Sequence, residues 1–314
     1  MHRLLSLSLL VCAGSLCSWA GVDRGLLALV PSGATVIGSV DVTASRESDF
    51  GQYLLSTHPV GNHDFGQMIL QTGFDPRRDL QHVLFASLGP ANTGAHPPFA
   101  VFARGTFDEQ RIRAAAIAKG ATIETYQNVA MCVNAEHDNQ DAFAFLDTGV
   151  AVLAGLPTLR QIIDNRNAPA VLNPDLESKI DSVGANNDVW FVSLSQGGFL
   201  AKHIMQEAGQ QAQALKSVTQ ASGGIRFGSD IEASFDATTR SPQDANSLAD
   251  VVRFVASMIQ MGQQDDPRAA ILAPALQSMV LQTAGSTVHF SLSIPEKSAE
   301  QLAELRPKRA QRSH

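Results

Sequence analysis

Cysteine is almost missing from this chain. There are three in 314 residues, and Cys12 and Cys17 both fall within the first twenty. Without that stretch only Cys132 remains, so no internal disulfide can form. A chain this long does not need one, because its apolar core can be large enough alone. Strong charge is missing too. The formal net charge is -7 with 17% charged residues, and a mildly acidic surface repels phosphate backbones, so nucleic acid is excluded as a partner. After the amino-terminal run, no apolar stretch approaches the ~20 residues of a spanning helix. The Gly-x-Ser-x-Gly elbow of a serine hydrolase is also absent.

The amino terminus has the order of a secretory signal. Met1, His2 and Arg3 form a short positive head, residues 4–16 are apolar, and Ser18-Trp19-Ala20 puts small residues at the two positions a signal peptidase reads. Cleavage is expected after Ala20, with the product periplasmic or extracellular. Gly14-Ser15-Leu16 puts leucine directly before Cys17, not three residues before it, which does not suit a lipid anchor.

The rest reads as two related α+β halves, 21–166 and 167–305, followed by a basic flexible tail, 306–314. The clearest sign is a repeated strand-to-helix unit. FAVFARGTFDEQRIRAAAIAKG (99–120) and IEASFDATTRSPQDANSLADVVRFVASMIQ (231–260) each run apolar strand, Phe-Asp, capped helix. In the first, Thr106 with Glu109 suggests a capping box. In the second, Ser241-Pro242-Gln243-Asp244 is a strong helix start. Gln127-Asn128, Asp147-Thr148-Gly149, Gly228-Ser229-Asp230 and Ala284-Gly285-Ser286 read as hairpin turns. A helix is expected over 267–279 and another over 198–216. Each half then runs strand, helix, hairpin, helix, hairpin, helix, which implies mainly antiparallel sheets with helices on one face. The polar segment Asn165-Arg166-Asn167-Ala168-Pro169 is the expected boundary.

The opening LLALVPSGATVIGSVDV, then SDFGQYLL, then GFDPRRDL before a strand, resembles a loose group of exported bacterial proteins of uncharacterised activity. The resemblance covers most of residues 25–165 and implies an exported α+β protein. It brings no catalytic residue, cofactor or substrate with it.

Several residues could carry chemistry. His58, His63 and Asp64 are of metal-ligand type, but Pro59 and Gly61 break any helical register between them, and a polar loop accounts for them. Cys132 and His137 could form a thiolate–imidazole pair, yet Cys132 sits in the apolar strand Val-Ala-Met-Cys-Val and reads as an inert core thiol. The loop holding Glu136, Asp138 and Asp141 lacks the ordered spacing of a calcium site. The glycine-rich run 222–228 leads into a strand, so it is a turn or bulge and not a phosphate cradle. Asp41 and Asp108, beside helix starts, read as caps. His289 alternates outward with Thr287, Ser291 and Ser293. The apolar stripe of the 241–260 helix, with Met258 and Met261 nearby, could meet a partner helix or lipid-like ligand, though packing on the sheet explains it.

No residue is therefore assigned as catalytic, cofactor-binding or metal-binding. The expected role is a non-catalytic binding or structural module of the cell envelope, its unknown protein or small-molecule ligand lying between the halves. The alternatives are a periplasmic hydrolase or a metal-binding protein whose site is assembled from residues distant in sequence.

Overall fold

The computed structural model describes residues 21–57, 63–89, 98–134, 141–168, 171–195 and 212–305. His58 and His137 lie outside them, as do the first twenty residues, the tail and most of the expected 198–216 helix. The elements are α1 (Arg24–Leu27), β1 (Ala34–Asp41), α2 (Val42–Glu47), α3 (Asp49–Thr57), α4 (His63–Thr72), α5 (Pro76–Asp79), β2 (Leu80–Leu88), β3 (Phe99–Gly105), α6 (Glu109–Ala118), β4 (Thr122–Tyr126), β5 (Val129–Val133), β6 (Asp141–Asp147), β7 (Val150–Gly155), α7 (Leu156–Asn165) and α8 (Pro174–Gly184). Then follow β8 (Val189–Ser193), α9 (Ala212–Leu215), β9 (Val218–Phe227), β10 (Asp230–Thr239), α10 (Pro242–Met261), α11 (Pro267–Leu272), β11 (Val280–Ala284), β12 (Thr287–Pro295) and α12 (Glu296–Glu304).

The protein is α+β, built on one twelve-stranded antiparallel sheet in the order β11-β12-β10-β9-β8-β1-β2-β3-β7-β6-β5-β4. The halves meet where β1 pairs with β8, from Val36 opposite Ser193 to Val40 opposite Val189. Outward from that seam each half lays down three strands in chain order. Each then crosses by a helix, α6 or α10, and returns so that its last strand lies beside its third: β7 on β3, β12 on β10. The first half adds one further hairpin.

Side chains alternate across a strand, so the registers sort residues onto two faces. Face A carries Ile37, Leu84, Phe102, Met131, Ala144, Val152, Trp190 and Val192 in the central and first-half strands. There it is sealed by Leu26, Leu27 and Val30 of the α1 segment, Leu159, Ile162 and Ile163 of α7, and Leu176 and Ile180 of α8. Each of these larger side chains contributes about 1.5–3 kcal/mol on burial. Face B of the second half carries Ala221, Ala237 and Val288, which pack on Ala245, Leu248 and Ala249 of α10. The helices thus lie on both faces, not one. Two apolar clusters on opposite faces need covers on opposite sides, while no described helix packs across face A of β9, β10 and β12.

Two expected boundaries shift for local reasons. The cap of α6 is Asp108, whose Oδ1 accepts from Arg111 N at 3.1 Å, and Thr106 is held earlier by its N–H to Asp79 O at 2.9 Å. The 267–279 helix stops at Leu272, because Pro274 lacks the N–H to continue it, and a 3₁₀ turn, Ala275–Ser278, follows. Other signals hold. Gln127 and Asn128 both take positive φ at the β4–β5 turn, and Ser241 Oγ accepts from Asp244 N at 3.1 Å to open α10.

Candidate functional site

The open part of face A is a lattice of polar side chains, three strands wide. Arg226, Glu232 and Ser293 form one row across β9, β10 and β12. Gly224, Ser234 and Ser291 form the next, then Ser222, Asp236 and His289, then Gln220, Thr238 and Thr287. The period-two polarity of three neighbouring strands builds it. Helix α8 stands along one side, with Lys179, Ser182, Asn186 and Asn187 at the margin, and encloses a depression of about 650 Å³. Gly224 lets α8's flank close in: a Cβ there would come within 2.2 Å of the Asn187 side chain. Asn187 itself donates Nδ2–H to Val183 O at 2.7 Å.

Ser222 is the most telling member. It is 7% exposed, lines the depression, and makes no side-chain hydrogen bond among the described residues. Ser182, Asn186, Ser234 and Ser291 line the same hollow, and their side chains also lack a partner among those residues. A hydroxyl is donor and acceptor at once, an amide carries both functions, and a hollow lined with such groups favours a polar occupant.

Asp236 and His289 sit opposite each other in the third row, with His289 Nδ1 2.9 Å from Asp236 Oδ1. His289 Nε2 has no partner among the described residues. The alternation that put His289 outward is correct, but it could not show the carboxylate one strand away. A hint was present in the matching polar alternation of 232–238 and 287–293.

A second titratable group crosses the same face at the far ends of β1, β2 and β3. His82 Nε2 lies 3.3 Å from Asp41 Oδ2. Arg104 Nη2 lies 3.0 Å from Asp23 Oδ1, and Asp23 also accepts from Leu26 N at 2.9 Å, capping α1. Burial pushes the Asp23 and Asp41 carboxyls up, but the bonds from Arg104, His82 and the helix N–H groups outweigh it, and both end below the usual carboxylate value. His82 is raised by its bond to Asp41, against the effect of burial. Asp41 also caps α2 through Ala44 N at 2.9 Å, as expected from its place at a helix start. Ser39, next along face A of β1, is 1% exposed. A sealed hydroxyl cannot meet a substrate, so this cluster reads as an ion-pair brace between α1 and the sheet.

Cys132 is buried at 2% exposure in β5, and burial pushes its thiol up. Its core position is the one the sequence suggested. His63 and Asp64 open α4, and their side chains lie outside the described residues. No group of three or more metal-ligand side chains occurs among the described residues.

No protein-family model matches the chain, and no curated protein does. Among solved structures it is similar to that described as "Structure of crystal form IV of TP0453", at 11% identity and a TM-score of 0.50, over 91% of this chain and 98% of that one. At that identity the likeness is one of fold: the α+β arrangement recurs over almost the whole of both chains.

Proposed function

We propose that this chain is a non-catalytic binding protein of the cell envelope, holding a polar ligand in the open half of face A. The leader-like residues 1–20 support export, and the matching strand order on either side of β1 and β8 supports an origin of the halves by duplication. The observation that carries the reading is Ser222, whose hydroxyl has no partner among the described residues and which lines a hollow built from polar side chains. The site lies within the second half, since the seam between the halves is a paired strand ladder.

The test is a melting comparison. Protein purified directly from the cells that make it is melted before and after ligand is stripped by denaturation and refolding. Bound ligand stabilises by mass action, so the native preparation melts higher and the difference vanishes in Ser234→Trp/Ser291→Trp. Identical melting of the two wild-type preparations contradicts the reading.

The hydrolase alternative has one observation in its favour, the Asp236–His289 pair, which is a general-base arrangement. His289→Gln would abolish a hydrolytic activity and leave simple binding largely intact.

A further inference from the structure

Resting on the binding reading above, we infer that the ligand is an uncharged, polyhydroxylated glycan segment.

Charge narrows the class first. Among the described residues lining the hollow, Lys179 and Arg226 are basic and Glu232 and Asp236 acidic, so that lining is formally neutral. Arg226 is paired with Glu232, and Asp236 with His289. A hollow whose charges are mostly matched within the protein offers an ionic ligand little net attraction. That disfavours a phosphorylated or strongly acidic ligand.

Hydrogen-bonding character narrows it further. Ser182, Ser222, Ser234 and Ser291 carry free hydroxyls, and Asn186 a free amide, around one hollow. Hydroxyls can reverse roles by rotating, so a patch of them matches another surface of hydroxyls whose donors and acceptors alternate. A sugar ring presents such a surface. An extended peptide would seek backbone groups at a strand edge, and this hollow lies over paired strands. A lipid chain would need apolar walls, whereas among the described lining residues only Val183, Ala233 and Leu292 are apolar. The volume, about 650 Å³, lies within the usual range of about 300–1,000 Å³ for small-ligand sites, which limits the occupant to a few sugar units.

The test titrates stripped, isotope-labelled protein with N,N′,N″-triacetylchitotriose, maltotriose and cellotriose, and with a charged trigalacturonate control, following amide signals by NMR. At least one neutral trisaccharide should shift the signals of Ser222, Ser234 and Ser291, and trigalacturonate should not. Ser291→Ala and Ser222→Val should each weaken the dissociation constant at least tenfold. Ser291 is partly exposed and replaceable without disturbing the core, so loss of binding there is not a folding effect. Absence of shifts with all three neutral sugars, or stronger shifts with trigalacturonate, overturns the glycan assignment. If the native preparation still melts above the stripped one, the binding reading survives that failure. If the two melt alike, both fail together.

Discussion

The indole Nε1 of Trp190 donates to the carbonyl oxygen of Gly21 across 2.6 Å, tying the start of the described chain to β8. Trp190 is 1% exposed. Gly21 takes φ +105, and a Cβ there would lie 1.8 Å from Gly184 O. Gly21→Ala therefore adds backbone strain and a steric overlap, and should cost at least about 2 kcal/mol. Trp190→Phe keeps the ring but strands a buried carbonyl, at about 1–3 kcal/mol. Urea unfolding of both variants in the full chain measures the two losses.

The two ends of face A should answer substitution differently. Leu159→Ala and Ile180→Ala each empty a fully buried position and should lose about 2–5 kcal/mol. Ser234→Val and Ser291→Val, on the open end of the same sheet, should change stability by no more than about 0.5 kcal/mol. Equal losses at the two ends would show that the second half of face A is covered core.

Stability should depend on pH through the brace at His82. Its folded pKa is raised above the ordinary 6.5, so its contribution is complete below about that pH and fades as pH rises through the raised value. Asp23 and Asp41 are lowered below the ordinary 3.8, so theirs is complete above that value and fades as pH falls through the lowered values. The urea midpoint should be highest between those limits. His82→Gln should remove the decline on the neutral side, a change under about 1 kcal/mol for a pair partly open to water. A decline of unchanged size in the variant would assign it to other groups.

Cys132 should ignore a thiol reagent in the native protein. Its sulfur is buried and its thiol pushed up, away from the reactive thiolate. In protein lacking residues 1–20, one equivalent should react, and only after unfolding. Rapid native labelling at pH 7.5 would mean that β5 opens readily.

Much of the scaffold was legible because local chemistry sets it. The alternation of Thr287, His289, Ser291 and Ser293 marked β12, Gln127-Asn128 and Asp147-Thr148-Gly149 marked the β4–β5 and β6–β7 turns, and Ser241-Pro242 opened α10. The fusion of both halves into one sheet was not legible, since the β1–β8 ladder joins segments some 150 residues apart and leaves no local mark. Strand register hid the site. Ser222, Asp236 and His289 become neighbours only through the β9–β10–β12 register, and each alone looks like an ordinary outward-facing strand residue. The histidines that stood out in sequence, His58 and His63, did so by residue type, while Pro59 and Gly61 removed the spacing that would have joined them.

The most direct test of the central claim, that the open half of face A is a binding surface, is native mass spectrometry on protein taken straight from the cells that make it. Wild type and Ser234→Trp/Ser291→Trp are compared under identical gentle ionisation. The wild type should carry a non-covalent adduct of a few hundred daltons, on the order of what a 650 Å³ hollow holds, and the double variant should not. A bare wild-type mass, or an adduct retained in full by the double variant, would contradict the claim.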